Sequence, residues 1–327
     1  MMDRRTVIGV VAAAVVAAPL AAIAQTATTV RRIGFLSSGA RPTPAELHEE
    51  TAPLRELGWV EGKNLLVERR YTTGRAELLQ PLAEELVRLK VELIVTFGTN
   101  ATLAAKNATT TIPIIIKSAG DPARIGLVAT LARPGGNITG YSIISPELNV
   151  KRLALLRELF PVMQSVAWLE NSVNPYFRAA RIDLEQACRS LGIQPIFVQV
   201  AAASELPDAV AEAARQRARA LLVPTDTLFY EYRAEIMRAA LEHGLPTMAQ
   251  RRTVLEDGAL IAYDPTEAEE NSRNAAFIDR ILRGARPADL PIEQPTRFEL
   301  IINLKTAKTL GLTIPQSLLL RADEVIQ

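Results

Sequence analysis

Short β-branched apolar runs alternate along this chain with longer segments whose apolar residues recur every three or four positions. Residues 31–36, 65–71, 91–97, 112–116 and 137–144 read as strands. Between them, 44–57, 76–90, 100–107 and 126–132 read as helices. The rhythm restarts near residue 145 with a helix over 148–160. Strands at 165–170, 195–200, 220–223, 245–249, 259–263 and 299–304 follow, with helices over 176–191, 206–215, 229–243, 265–282 and 304–311. In 206–215 the apolar positions Leu206, Ala209, Val210, Ala213 and Ala214 share one helix face. Four helices run into a glycine, at Gly58, Gly192, Gly244 and Gly311, where a left-handed residue would close the last turn. Strands alternating with helices predict βαβ units on parallel sheets, and the restart predicts two similar α/β lobes.

The stretch 91–121 organises the first half. Its two runs lack polar alternation, which suits strands covered on both faces. The helix between them is entered through Gly98-Thr99, so free backbone N–H groups and the positive dipole end face the strands' carboxyl rim. Ligands of open α/β sheets sit at that rim. The first half supplies Ser37, Ser38, Gly98, Thr99, Asn100, Ser118, Ala119, Gly120 and Asp121 as candidates. The second half supplies Asn171, Thr225, Asp226, Tyr263 and Asp264. Helix capping is the rival role for Thr99, Asn100, Asp121 and Asp226. The helix-entry amides suit a carboxylate, and Asp121 or Asp226 suits an ammonium group. An amino acid fits that pair.

Composition narrows the chemistry. The 327 residues are 48% apolar, enough for two cores, and 37 basic against 36 acidic residues leave a net charge of +1. No basic excess points to nucleic acid. The turn after the first strand, residues 34–39, lacks G-x-G-x-x-G, and neither a P-loop nor a G-x-S-x-G elbow occurs. His48 and His243 stand alone, and Cys188 is the single cysteine, so neither a metal cluster nor an intrachain disulfide is available. We therefore expect no catalytic residues, no metal and no cofactor. Arg4-Arg5, a charge-free stretch over 7–24 and Ala22-Ile23-Ala24 before Gln25 read as a signal peptide cut near Ala24. Export by the Sec or the twin-arginine route to the periplasm follows.

Several stretches together resemble one family: LRELGWVEGKN at 54–64, LVATLARPGGNITG at 127–140, KRLALLRELFP at 151–161, RPADLPIEQP at 286–295 and FELIINLKTAKTLGLTIP at 298–315. The chain is similar to ABC-transporter substrate-binding proteins of the tryptophan/phenylalanine-binding type. The resemblance implies a type I periplasmic binding fold: two Rossmann-like lobes with parallel central sheets flanked by helices, joined by a three-crossover hinge. It places lobe I at 28–142 plus 266–290 and lobe II at 143–265 plus 291–327. It also implies a monomer that clamps a small solute with the loops named above and delivers it to an ABC permease and its ATPase. An exported sensory domain, or a hydrolase using Asp121 and Asp226, are the rival readings.

Overall fold

The computed structural model describes residues 30–142 and 146–327, so the signal-peptide reading falls outside the described residues. The first sheet contains β1 (Arg31–Ser37), β2 (Leu65–Tyr71), β3 (Ile94–Phe97), β4 (Ile114–Ser118) and β5 (Ile138–Gly140). Helices α1 (Pro44–Glu56), α2 (Leu79–Arg88) and α3 (Thr99–Ala108) connect the first four. The strand order is β2-β1-β3-β4-β5, and every pair is parallel. Leu36, Ile94, Ile114 and Ile116 pack against Leu79, Leu86, Ala101 and Ala105 on α2 and α3. The opposite face, with Ile33, Phe35, Val95 and Ile115, belongs to the larger second core.

After α4 (Pro146–Leu159) the pattern repeats. It runs β6 (Ser165–Asn171), α5 (Tyr176–Leu191), β7 (Gln194–Val200), α6 (Leu206–Arg215), β8 (Leu221–Leu222), α7 (Thr227–Glu231), α8 (Arg233–Glu242), β9 (Thr247–Ala249), α9 (Arg252–Glu256) and β10 (Ile261–Pro265). The chain ends with α10 (Glu267–Leu282), β11 (Phe298–Asn303), α11 (Leu304–Thr309), α12 (Gln316–Leu319) and β12 (Glu324–Ile326). The second sheet runs β12-β11-β10-β9-β8-β6-β7. Its β7-β6-β8-β9-β10 part repeats the order of the first sheet, so both sheets reverse direction at one switch point, β1/β3 and β6/β8. Ligands bind beside such points.

The chain passes between the sheets after β5, after β10 and again before β11. The third passage is tied to the first: Glu293 N–H donates to Gly140 O at 2.9 Å, and Ser142 N–H to Glu293 O at 2.9 Å. Gly140 is required here. It lies at φ +133, and a Cβ would sit 2.3 Å from Ile116 O.

Several elements depart from the sequence reading. Residues 126–132 form turns instead of a helix. Gly126 takes φ +75, and the N–H groups of Leu127 and Val128 both turn back to Pro122 O, which closes a turn and starts no helical ladder. The helix expected over 229–243 breaks at Tyr232 (φ −104, ψ 25) into α7 and α8. The second sheet is mixed, because β11 pairs antiparallel with β10. The four helix-ending glycines all adopt positive φ, at 90, 65, 62 and 63.

Candidate ligand-binding cleft

The loops leaving the carboxyl ends of the two sheets meet. Gly98 is the N-cap of α3 at φ +100, and its position faces the Thr227 methyl at the start of α7. The loop after β4 presses on α5, so that a Cβ on Gly120 would lie 2.4 Å from the Tyr176 ring. A Cβ on Gly39 would meet the Glu231 carboxylate at 2.5 Å. At the rim, the Arg124 guanidinium pairs with Asp183 of α5. The loop tips are thus in contact around a small cavity.

That cavity, about 20 Å3, is lined by Gly98, Thr99, Ser118, Ala119 and Gly120 from one side. Asn174, Thr225, Asp226, Gln250 and Arg251 line the other. Thr99 Oγ1 accepts from Gly120 N–H at 3.1 Å, which locks the two first-sheet loops together. Asp226 caps α7 through Leu228 N–H at 2.8 Å and also accepts from Asn171 Nδ2 at 3.1 Å and Asn174 Nδ2 at 2.7 Å. Burial raises its carboxyl above the usual range, and these donors pull it back. Capping and cleft-building are therefore one role at Asp226. Ser38 Oγ, Thr225 Oγ1 and Gln250 Oε1 are buried without a hydrogen-bond partner among the described residues. Buried polar atoms are nearly always satisfied, and two of these, Thr225 Oγ1 and Gln250 Oε1, line the pocket, while Ser38 stands beside it at Gly98.

Phe97, Tyr230 and Arg251 separate this pocket from a second interlobe space of about 350 Å3. Phe35, Ser37, Tyr71, Lys117, Glu231 and Arg233 line it as well. Arg251 stands at the junction on a strained backbone, φ 62 and ψ 143, a region that a side chain disfavours. Its guanidinium bonds Glu267 at 3.0 Å and Glu270 at 3.1 Å and lies 5.7 Å from the Phe97 ring and 5.4 Å from the Tyr230 ring. Burial disfavours its charge, but Glu270, Glu267 and Asp264 overcome that and hold it protonated.

The remaining candidates sit apart. Ser37 Oγ is taken by Gly39 N–H, and the residue lines the larger space. Ser38 borders Gly98, with its Oγ 3.1 Å from where a Cβ would stand. Asn171 lies behind Asp226, toward a separate polar hollow with Glu170 and Arg181. Asn100, Asp121, Tyr263 and Asp264 do not line the cleft. Asp121 caps the local turn through Arg124 N–H. Asp264 pairs with buried Arg152 at 2.8 Å, and Tyr263 stacks on Phe298 at 5.5 Å. Phe97, Asn174, Thr227, Tyr230, Gln250 and Arg251 line the cleft beyond the sequence candidates. The Asn174-Pro175 turn and the Arg251-Arg252 pair after a strand were the only signals of them.

The sequence model for the ABC transporter substrate binding protein family matches residues 51–326. A tyrosine-binding protein of Clostridioides difficile (strain R20291) is 26% identical over 260 residues, covering 79% of this chain and 74% of the relative. A conserved domain protein from Vibrio cholerae superposes with a TM-score of 0.86 at 23% identity, over 91% of this chain and all of that one (100%). An ABC domain in complex with L-Trp from Streptococcus pneumonia does so with a TM-score of 0.84 at 23% identity, with the same coverage of 91% and 100%. The two sheets and their crossovers are those of the type I periplasmic binding fold.

Proposed function

The chain belongs to the ABC transporter substrate binding protein family, and from that premise we propose that its solute is an aromatic amino acid held between two lobes. The proposed lobes are 28–142 plus 266–290 and 143–265 plus 291–327. The α-carboxylate meets the free Thr99 amide at the N-terminus of α3 and the unpartnered Thr225 hydroxyl, and the ammonium group meets Gln250 Oε1 and the Asp226 edge. The ring extends past Phe97 and Tyr230 into the larger space, where Phe35 and Tyr71 supply aromatic walls.

One observation carries this reading: a polar pocket with two unpartnered groups, Thr225 Oγ1 and Gln250 Oε1, shares the walls Phe97, Tyr230 and Arg251 with an aromatic-lined space of about 350 Å3. That volume lies within the usual range of ligand pockets, about 300–1,000 Å3. The tyrosine-binding relative supports the same class. Closure on the solute would present one combined surface of both lobes to a membrane permease, whose ATPase drives import. The protein acts as a monomer in the periplasm after loss of residues 1–24.

A thermal-shift screen over the proteinogenic L-amino acids tests the ligand class, because a ligand that binds only the folded chain raises its melting temperature. Tyrosine, tryptophan or phenylalanine should give the largest shift, and Thr225→Val should reduce it. A largest shift from an acidic or basic amino acid, or from none, would overturn the assignment. Edman sequencing of the exported protein should begin at Gln25.

A further inference from the structure

Helix α1 is seated loosely. Over Pro44–Glu56 it buries one side chain, Leu54. Beneath it, Ile33, Phe35, Val67 and Val95 project from the sheet into a cavity of about 330 Å3, closed on the other side by Ala275 and Ile278 of α10. The space is half-open, with an apolar floor and a rim of polar side chains that includes Glu50, Arg55, Glu61 and Arg69, and its size falls in the range of ligand pockets, about 300–1,000 Å3.

Three cations line the cavity: Arg69 is paired with Glu61, Arg55 donates to Thr51 Oγ1 and His48 O, and the third is Lys117. Lys117 is 8% exposed, and its Nζ lies 3.4 Å from Glu50 and 5.7 Å from the Phe97 ring centroid. It makes no hydrogen bond among the described residues, although an ammonium group carries three donors. Asn274 Oδ1, also at this cavity, is buried and unpartnered. Phe35, Glu50, Lys117 and Asn271 line both this cavity and the interlobe space, so the Lys117–Glu50 pair stands at the border between them. A nearly buried ammonium with a single long contact favours a further anion.

We propose that the space under α1 is a second ligand compartment that takes an aryl or alkyl monocarboxylate. The apolar body lies against Ile33, Val67 and Val95, and the carboxylate accepts from Lys117 Nζ. This compartment does not depend on the amino-acid reading of the cleft. Trp59 lines its outer end, whereas Trp168, the other tryptophan, is buried in the core of the second sheet. The full chain carrying Trp168→Phe therefore reports from the compartment alone.

Titration with 4-phenylbutyrate should change Trp59 emission saturably, and calorimetry on the unsubstituted chain should return the same affinity. The uncharged 4-phenyl-1-butanol should bind at least about tenfold more weakly, and Lys117→Met should erase that difference. Val67→Phe and Leu47→Phe, which fill the cavity from opposite walls, should each weaken binding several-fold. Three results would overturn the proposal: no saturable binding in either measurement, equal affinity for acid and alcohol in the native sequence, or unchanged affinity in both filled variants. The amino-acid thermal shift is a separate readout, so either site can fail while the other stands.

Discussion

Gly120→Ala places a methyl carbon where the Tyr176 ring already stands, 2.4 Å from Cγ and Cδ2 and 2.8 Å from Cβ. Ordinary contact begins near 3.4 Å, so the loop after β4 and helix α5 must separate by about 1 Å. Tyr176 cannot swing aside: it is buried, bonded through its hydroxyl to Asn149 at 3.2 Å, and packed edge-on against Phe177 at 5.4 Å. Overpacking of this kind costs about 1–3 kcal/mol. Because the contact joins loops of two different sheets, that cost falls on the closed, ligand-holding form. The dissociation constant should rise about 5- to 150-fold, at roughly 1.4 kcal/mol per decade. The assay is calorimetric titration with the amino acid giving the largest thermal shift, beside chemical denaturation of the ligand-free protein. Tyr176→Leu should restore much of the lost affinity in the double variant, since coupled neighbours are non-additive. Unchanged affinity in Gly120→Ala, or an equal loss of ligand-free stability, would refute a contact made on closure.

Three other substitutions probe separate parts of the account. Asp226→Ala should abolish the ligand-induced thermal shift and lower ligand-free stability by about 1–2 kcal/mol through loss of the α7 cap. A retained shift would remove Asp226 from the site. Arg251→Ala should destabilise the chain by about 3 kcal/mol in urea, because Glu270, buried beside it, keeps a charge with no partner; a loss below about 0.5 kcal/mol would show that the ion pairs add little to stability. Burial pushes the Cys188 thiol up from 9.0 to about 11, so the unfolded chain releases this proton first. Its contribution is complete below pH 9 and should fade by about 2–3 kcal/mol as pH rises to 11. Cys188→Ala should lack that alkaline slope, and parallel stability curves would disprove it.

Local signals made most of the framework legible. The strand over Leu65–Tyr71 and the helices Tyr176–Leu191 and Leu206–Arg215 have the bounds that their periodicity and Gly192 predict. What escaped depends on partners distant in sequence. The antiparallel pairing of β11 with β10 follows from a chain that returns across the hinge, and β11's apolar run does not encode direction. Residues 126–132 carry helix-like composition, yet Pro122 and the positive φ of Gly126 turn them early. Within the cleft, Gly98-Thr99 and Thr225-Asp226 were readable because strand ends, a glycine and a cap coincide there. Tyr230 and Gln250 were not, since an aromatic in a helix and a polar residue after a strand look like ordinary surface, and Arg251 was signalled only by the Arg251-Arg252 pair. Asp264 was misleading for the opposite reason: a carboxylate at a strand end proves to be neutralised by Arg152 on α4.

Hydrogen exchange with and without the amino acid selected by the thermal screen tests most directly whether one solute is gripped by both sheets. The account predicts slowed exchange in the same titration at 97–100, 118–121, 225–228 and 249–252, with one midpoint for all four segments. Protection limited to the loops of one sheet, or located away from these segments, would contradict capture between two lobes.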